Sequence, residues 1–599
     1  MTNPPNEEAL EAYRRATALL NAGRAGEALA LFDQVIAREP DMAQAHAARG
    51  LALAAAGADD AAVAAAAHAA KLDPRGASPM LLHLGYRFLQ TSRAGAAHAA
   101  FSRLLAEQPG QLDATQGRIM ALIALGRFDE ASPALAALRA SLPDTEYLRG
   151  VHFHAQLQCC DWSEYQSNAA AISDAVRRRL RVDSPHTFIA HSDSPALQRL
   201  CAETYVADRC MPDAPPIARR PKRASAKIRV AYLSSDFRDH AVGQLMVGVF
   251  EAHDKERFEI WGFSSGRNDG SELRRRLQQS FSYFIDVGSW PDATIAAQMA
   301  EVDIDVVIDL GGHSSGGRTR VLSFRPAPVQ MSLLGYPGTL GASYVDYLIA
   351  DAIVVPPDQR EHYTEQLIYL PDSFLPAEAA LAMSRPPTRA EVGLPETGAV
   401  FCGFNSPHKL SPAMFDVWMR VLNSVPDSVL WLRDSSETAR HNLRSQAERR
   451  GVDPDRLVFA ARTPTRAELY ARFSLADVFL DTTPYNAHTT AAEALGLAVP
   501  VVTLKGATFA GRVAASLLSA CGVPELVVDT LSEYERVAIE LARDKDRLAD
   551  LKQRLRQARS QAAPFDPVRY CRHLEAAVSM AWSRHVRGES AATFSVERA

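Results

Sequence analysis

Polar residues that could carry out chemistry follow three strand-like apolar runs in this chain. They are His240 after AYLSSDFRD, Asn405 and Lys409 after AVFCGF, and His488, Thr489 and Thr490 after LADVFLDTTPYNA. A parallel sheet brings such residues to the edge where its strands end, and ligands bind there. An ammonium group and the unpaired N–H groups of a helix N-terminus both hold phosphate. The pattern predicts a diphosphate site, with ordinary N-capping by threonine as the alternative.

No cluster of carboxylates accompanies these residues, so no metal is expected at the site. His240 is the candidate for handling or positioning a proton, because a neutral imidazole suits that role near pH 7. A histidine with a structural role at the end of a strand is the alternative.

These residues lie where strand-like apolar runs alternate with amphipathic helical stretches. Such alternation is typical of a parallel, doubly wound sheet. It begins near residue 226 and restarts near residue 386, which indicates two Rossmann-like lobes over 226–385 and 386–585. A cleft is expected between the lobes, and residues 586–599 are expected to form a polar tail.

The first quarter of the chain repeats two markers at intervals of 34 or 35 residues. They are the prolines Pro40, Pro74, Pro109 and Pro143 and the turn residues Gly23, Gly57, Ser92 and Gly126. A helix-turn-helix unit of this length, closed by a proline, resembles the tetratricopeptide repeat (TPR). We expect an array of about four repeats over 1–147, followed by a helical connector and a Pro-rich linker over 148–225. Such arrays bind proteins, so a protein partner is expected.

Composition excludes several classes of protein. The chain of 599 residues is 47% hydrophobic and 23% charged, with a net charge of -5, which favours a globular protein and not a nucleic-acid binder. Its seven cysteines contain no CxxC pair, which indicates reduced thiols. The acidic start does not resemble a signal peptide, and no apolar run reaches the roughly 18 to 20 residues that span a bilayer. A cytoplasmic location without membrane insertion is expected.

Four long, collinear stretches resemble the catalytic region of O-GlcNAc transferases and SPINDLY-type protein glycosyltransferases. They are SSDFRDHAVGQL, FRPAPVQMSLLGYPGTLGASYVDYLIAD, FNSPHKLSPAMFDVWMRVLNSVPDSVLWL and LADVFLDTTPYNAHTTAAEALGLAVPVVTLKGATFAGRVAASL. A preceding TPR array is usual in that family. The resemblance implies a GT-B fold and an inverting transfer of sugar from a nucleotide donor to protein hydroxyl groups. It implies neither a cofactor nor a metal.

The resemblance also implies roles for individual positions. His240 would line the acceptor and sugar site, while Lys409, in the same motif as Asn405, would stabilise charge on the leaving diphosphate. A further set is expected near the transferred sugar. It comprises His313 and the loop residues Leu334, Gly335 and Pro337. The glycines of that loop equally suit a strand-capping turn.

The departures from the family concern the nucleoside. Leu469 stands where relatives commonly place a histidine against the base, and Glu493 where they place an aspartate that can hold the ribose. Arg466 replaces a nearby lysine of the O-GlcNAc enzymes. Arg466 and Glu493 are still expected in the donor site, but the donor stays open among UDP-GlcNAc, GDP-fucose and a CMP-linked nonulosonic acid.

The repeats depart from the family as well. The asparagine ladder of O-GlcNAc transferases is replaced by Arg14, Ala48, His83 and Gly117. Four repeats suggest one dedicated partner, and analogy with bacterial enzymes of this layout suggests flagellin as the acceptor. Two other functions stay open: a TPR adaptor whose transferase region is inactive, and a transferase that acts on small molecules or lipids.

Overall fold

The computed structural model describes residues 7–76, 78–211, 215–217, 227–378 and 381–598. It consists of two compact units, Met1–Leu138 and Arg139–Ala599. The first unit therefore ends before residue 147, because the connector helices pack with the second unit. Most of the linker expected before residue 226 lies outside the described residues.

The first unit is a series of four helix pairs. Their bounds are α1 Glu7–Asn21, α2 Ala25–Arg38, α3 Ala43–Ala55, α4 Asp59–Leu72, α5 Ser78–Gln90, α6 Ala94–Glu107, α7 Leu112–Ala124 and α8 Phe128–Ser141. The turn inside each pair has a residue with positive φ at the position that the repeat spacing indicates. These are Gly23 (76°), Gly57 (82°), Ser92 (58°) and Gly126 (71°). Each closing proline follows the second helix of its pair, where it cannot continue the helix.

Small residues allow these helices to approach closely. Ala28 and Ala62 are fully buried between them. The ring of Phe101 lies so near Gly85 and Gly117 that an added Cβ would come within 2.5 Å and 2.4 Å of ring atoms. This close approach explains glycine at two helical positions, where its intrinsic propensity is unfavourable.

Four connector helices open the second unit. They are α9 Leu148–Gln158, α10 Tyr165–Arg177, α11 Pro185–Phe188 and α12 Pro195–Arg209. The side chains of Ser184 and Ser194 cap the last two, each followed by a proline at the first helical position. Helix α9 packs against the second lobe, beside residues 407–409.

The first lobe is built on an eight-stranded parallel sheet in the order β14-β7-β6-β5-β4-β1-β2-β3. The elements are β1 Ile228–Ser234, α13 Ala241–Glu251, β2 Phe258–Ser264, α14 Glu272–Ser280, β3 Tyr283–Asp286, α15 Asp292–Glu301, β4 Val306–Asp309, α16 Arg320–Ser323, β5 Val329–Ser332, β6 Tyr347–Ala350, β7 Gln366–Tyr369 and β14 Phe594–Ser595. The central strands β4, β5 and β6 are buried at every position, as in a parallel sheet covered on both faces.

The second lobe has a six-stranded parallel sheet in the order β10-β9-β8-β11-β12-β13. The elements are β8 Val400–Gly403, α17 Pro412–Ser424, β9 Val429–Arg433, α18 Glu437–Glu448, β10 Leu457–Ala460, α19 Arg466–Phe473, β11 Val478–Leu480, α20 Thr489–Gly496, β12 Val501–Leu504, α21 Val513–Ala520, β13 Val527–Val528, α22 Leu531–Arg543, α23 Lys545–Ala558 and α24 Pro567–Val586. Both sheets are thus of the doubly wound kind that the alternation predicts.

The C-terminal segment differs from two predictions: that residues 386–585 belong to the second lobe alone, and that residues 586–599 form a polar tail. Helix α24 packs against α13 of the first lobe, where Glu575 accepts hydrogen bonds from the backbone N–H of Asp254 (2.8 Å) and from His253 Nδ1 (2.9 Å). Residues 586–599 are not a simple polar tail, because β14 pairs with β7 and extends the first sheet. The segment is held there by apolar contacts, because Phe594 packs on the core and Val596 is buried.

Within the described ranges, no helix has both the length and the apolar character needed to cross a bilayer.

Candidate functional site

The turn after β11 forms one wall of the expected diphosphate site. Asp481 follows the strand and is 1% exposed. Its carboxylate accepts hydrogen bonds from the N–H groups of Thr482 (2.8 Å) and Ala487 (2.6 Å). These bonds fold residues 481–487 into a compact turn that leads into α20.

Lys409 reaches this turn from the neighbouring strand β8. Its Nζ donates a hydrogen bond to the carbonyl oxygen of Asn486 (2.8 Å) and lies 3.7 Å from the ring centroid of Tyr485. Burial lowers the pKa of Lys409 to about 7, and the charge of Asp481 acts in the opposite direction. The order of the strands therefore places the ammonium group where the sequence indicates, while its binding to a diphosphate stays a prediction.

The start of α20 forms the other wall. His488 precedes the helix, Thr489 and Thr490 are its first residues, and no side chain in the described chain caps it. Threonine N-capping, the alternative from the sequence, is therefore wrong, and the N–H groups of the first turn are available to a ligand. His488 Nε2 lies 3.1 Å from the carbonyl oxygen of Ala510, and burial lowers the pKa of His488 well below its usual value.

A cavity of about 480 Å³ adjoins the start of α20. Its lining combines an apolar wall with polar and cationic groups. These include Phe404, Leu469, Phe473, Thr489, Thr490, Glu493, Arg433, Arg462, Arg466 and Arg472, with Asp239 and Ala241 from the first lobe. A pocket of this size and mixed character is typical of a site for a nucleotide-sized ligand.

Arg466 links the two lobes at this cavity. Its Nη1 lies 2.9 Å from Glu493 Oε1, and its Nε lies 3.2 Å from Asp239 Oδ1. Burial raises the pKa of Glu493, and the charge of Arg466 opposes that effect. The pair places a carboxylate and a guanidinium beside Thr490, so both expected donor residues line the same cavity.

His240 lies at the start of α13, in the loop after β1. Its Nδ1 accepts a long hydrogen bond from the N–H of Val242 (3.4 Å) and lies 3.5 Å from Asp236 Oδ1. Burial lowers the pKa of His240, so the ring is neutral near pH 7. With Nδ1 as acceptor, the neutral ring carries its proton on Nε2 and can donate a hydrogen bond there. A proton-accepting role would require the other tautomer.

Asn405 belongs to the framework of the turn. Its Nδ2 donates to Thr482 Oγ1 (2.8 Å) and lies 3.3 Å from Asp481 Oδ1. Its buried Oδ1 has no partner among the described residues. The amide nitrogen thus holds β8 to the turn, and donor binding by Asn405 stays a prediction that rests on the oxygen.

The residues expected near the sugar form two buried turns of the first lobe. His313 donates from Nε2 to the carbonyl oxygen of Leu340 (2.8 Å), and burial lowers its pKa to about 4. Gly335 packs so tightly that an added Cβ would lie 1.9 Å from the carbonyl oxygen of Leu310. Leu334 and Pro337 are buried beside it. The close approach explains the glycine at position 335, and contact of this loop with a sugar stays a prediction.

His186 of the connector is a site residue that the sequence did not indicate. Burial lowers its pKa to about 4, and the charge of Lys409 acts in the same direction. His186 in turn lowers the pKa of His313 and of His408, which lie in the first and second lobes. His186 is therefore within electrostatic range of groups in both lobes. No local motif surrounds it, and only the docking of the connector could have shown its place.

One group of potential metal ligands occurs in the described part of the chain: His253, Cys571 and Glu575. It lies between the loop after α13 and helix α24, away from the strand ends that form the cavity. His253 Nδ1 is 2.9 Å from Glu575 Oε1 and its Nε2 is 2.8 Å from the hydroxyl of Tyr232. Both ring nitrogens are thus engaged, so the group is satisfied by hydrogen bonds.

Two parallel α/β lobes with a ligand cavity at their strand ends define the GT-B class of glycosyltransferase folds. Comparison with known proteins identifies the family within this class. The family described as "Glycosyl transferase family 41" matches residues 159–385 and 381–574, and a tetratricopeptide repeat matches residues 88–152. The chain therefore belongs to glycosyl transferase family 41.

Individual relatives agree with this assignment. The chain is 32% identical over 463 residues to the probable UDP-N-acetylglucosamine–peptide N-acetylglucosaminyltransferase SEC of Arabidopsis thaliana, covering 74% of this chain and 47% of that one. It is 27% identical over 557 residues to the corresponding enzyme of Caenorhabditis elegans, covering 72% and 48%. The chain thus spans about half the length of these relatives.

A solved structure shows the same fold over nearly the whole chain. It is a mutant of the Thermobaculum terrenum O-GlcNAc transferase, with a TM-score of 0.61 and 26% identity. The match covers 98% of this chain and 100% of that one. The order of helical repeats followed by two sheets is therefore shared with that protein.

Proposed function

We propose that this protein transfers a sugar from a nucleotide donor to serine or threonine hydroxyl groups of a protein acceptor. The observation that carries the proposal is that Lys409 Nζ binds the turn 481–487, which leads directly into the uncapped start of α20. Thr489 and Thr490 of that start line a cavity of about 480 Å³. A cation and free N–H groups suit the diphosphate, and the cavity suits the nucleoside.

The chemistry would be a direct displacement with inversion. The acceptor hydroxyl attacks the anomeric carbon while the bond to the diphosphate oxygen breaks, and Lys409 and the first turn of α20 stabilise the charge that develops there. His240 would position the reacting hydroxyl through Nε2–H or, as the other tautomer, accept its proton.

Charge stabilisation in this scheme comes from the chain itself, so we propose that no metal is needed. Transfer in the presence of excess EDTA should equal transfer with added Mg²⁺ or Mn²⁺. A requirement for either ion would contradict this part of the proposal.

The acceptor would be a protein held by the helical repeats. The match to a tetratricopeptide repeat and the names of the relatives, which are peptide transferases, support this choice. Flagellin is the specific acceptor that we propose to test first, on the analogy of layout stated above.

UDP-GlcNAc is the first donor to test, because the relatives are named for it. The Arg466–Glu493 pair and Leu469 alter the nucleoside cavity, so GDP-fucose and a CMP-linked nonulosonic acid belong in the same series. Each donor would be offered in radiolabelled form with candidate acceptors, and transfer would be detected on the acceptor band.

Deletion of residues 1–138 tests the part played by the repeats. Donor hydrolysis should persist, because the cavity lies wholly in the second unit, whereas transfer to protein should be lost. Undiminished transfer to protein would refute recruitment by the repeats, and full turnover with a small-molecule acceptor would favour the alternative class of transferase.

A further inference from the structure

Asp481 is a buried carboxylate at the centre of the site that neither its motif nor the resemblance assigned a role. Four donors, all of them neutral, surround its oxygens. They are the N–H groups of Thr482 (2.8 Å) and Ala487 (2.6 Å), Asn405 Nδ2 (3.3 Å) and Thr503 Oγ1 (2.6 Å). Neutral hydrogen-bond donors do not cancel the charge of a carboxylate, so the ionised Asp481 can still attract a cation that does not touch it.

These bonds tie Asp481 to each part of the diphosphate site. Thr503 lies in β12, Asn405 follows β8, and Ala487 immediately precedes His488 and the start of α20. Asn486, the residue before Ala487, provides the carbonyl oxygen that receives Lys409 Nζ. One carboxylate therefore fixes the turn that holds the ammonium group in place.

Lys409 needs such a partner, because no carboxylate oxygen in the described chain comes within ion-pair distance of its Nζ. Burial lowers the pKa of Lys409 to about 7, and Asp481 is the charged group that opposes this effect. Burial raises the pKa of Asp481 to about 6, so its carboxylate is ionised above that pH.

The other titratable groups around Lys409 do not change charge between pH 6 and 8. Burial lowers the pKa of His186 to about 4 and those of His408 and His488 well below their usual value, and it raises the pKa of Tyr485 above its usual value. The hydroxyl of Tyr534 donates to the backbone oxygen of Asp481 (2.9 Å), and burial raises its pKa as well. The Asp481–Lys409 pair is thus the charged part of this cluster.

We propose that Asp481 is a positioning residue for the donor: its hydrogen bonds hold the turn that receives Lys409 and the start of α20 in place for the diphosphate, and its buried negative charge favours the ammonium form of Lys409. This inference rests on the proposed function, since it assigns the diphosphate to Lys409. Asp481 itself does not contact the sugar donor, because the four hydrogen-bond donors from the turn, β12 and the end of β8 occupy its oxygens.

Asp481→Asn tests the inference, because asparagine keeps the shape and removes the charge. Binding of UDP and of GDP to the full chain would be measured by calorimetry at pH 6 and pH 8. Without the carboxylate the pKa of Lys409 falls, so the loss of affinity relative to the unaltered protein should be at least about threefold greater at pH 8 than at pH 6. An equal loss at both pH values, or no loss, would overturn the proposal.

Asp351→Asn is the matched control. Asp351 is also a buried carboxylate after a strand, and it accepts bonds from the N–H groups of Ile353, Val354 and Phe374. The same neutralisation there should leave the pH dependence of nucleotide binding unchanged. A shift equal to that of Asp481→Asn would show a general effect of charge removal and would overturn the proposal.

Two further results separate the possible failures. If the unaltered protein binds none of UDP, GDP and CMP, the proposed function fails and the inference fails with it. If it binds UDP or GDP and Asp481→Asn binds identically, only the inference fails. Thermal melting of the free variants checks folding. Should Asp481→Asn not fold, Thr503→Val removes one hydrogen bond from the same carboxylate, and reduced affinity is expected. Unchanged affinity at both pH values would overturn the proposal.

Discussion

Replacing Lys409 by alanine is the perturbation with the largest expected effect on catalysis. Lys409 Nζ donates one hydrogen bond to the carbonyl oxygen of Asn486, so its other N–H groups can donate to diphosphate oxygens. Removing one such stabilising donor from a transition state typically costs about 3–4 kcal/mol. We therefore expect kcat to fall by roughly 10²- to 10³-fold. The fold should stay intact, because Asp481 holds the turn 481–487 through hydrogen bonds that do not involve Lys409.

The pH dependence of activity in the unaltered protein is a second test of the role of Lys409. With the pKa of Lys409 at about 7, the free protein carries the ammonium in about nine molecules of ten at pH 6 and in about one of ten at pH 8. Because the charged form binds phosphate, kcat/KM for the donor should fall about tenfold between those pH values. The decline occurs as pH rises through 7, the direction required when the protonated form is the active one.

The assay is release of the nucleotide from the donor, followed at pH 6 and pH 8. Lys552→Ala is the matched control, since Lys552 is also half-buried but pairs with Asp477, which precedes β11 at the end of the strand opposite to the site. It should retain activity within about twofold. A Lys409→Ala variant within threefold of the unaltered enzyme, or one that keeps the decline between pH 6 and 8, would refute the role of Lys409.

Two predictions concern other parts of the chain. Gly117→Ala should lower the free energy of unfolding of the repeats by about 1–3 kcal/mol, because the new Cβ would lie 2.4 Å from the Phe101 ring. Gly95→Ala, with nothing within 4 Å, should instead stabilise them by up to about 1 kcal/mol, and chemical denaturation that ranked the two variants the other way would contradict the packing. Glu493→Gln should weaken nucleotide binding at least about tenfold in calorimetry if its carboxylate, held by Arg466, receives the ribose hydroxyls. Unchanged affinity would exclude that contact.

Much of the architecture follows from periodic signals in the sequence. Turn residues and prolines at intervals near 34 mark each helix pair, since only a residue that tolerates positive φ fits the turn. Alternation of apolar runs with helical patterns indicates both parallel sheets, and the strand ends indicate where Lys409 and His488 meet. These signals are local or regularly repeated, so short-range sequence patterns are enough to predict the elements.

Features that depend on contacts between distant parts of the chain could not be predicted from the sequence. His186 comes within electrostatic range of Lys409 only because the connector packs on the lobes, and no sequence pattern around Pro185 indicates this. Strand β14 is two residues long and is formed by pairing with β7, which lies more than 200 residues earlier in the chain. Asp481 lay within a quoted motif, but its role depends on donors from β8 and β12. A carboxylate placed directly after a buried strand was the one signal that could have indicated it.

The proposed function depends most directly on the binding of a nucleoside diphosphate by Lys409 and the start of α20. A thermal-shift titration of the full chain with UDP, GDP and CMP, beside Lys409→Ala, measures this. A ligand at about 100 times its dissociation constant adds roughly 2.7 kcal/mol of stability. We predict a clear shift with UDP or GDP that the Lys409→Ala variant loses. No shift with any nucleotide, or an equal shift in the variant, would contradict the account.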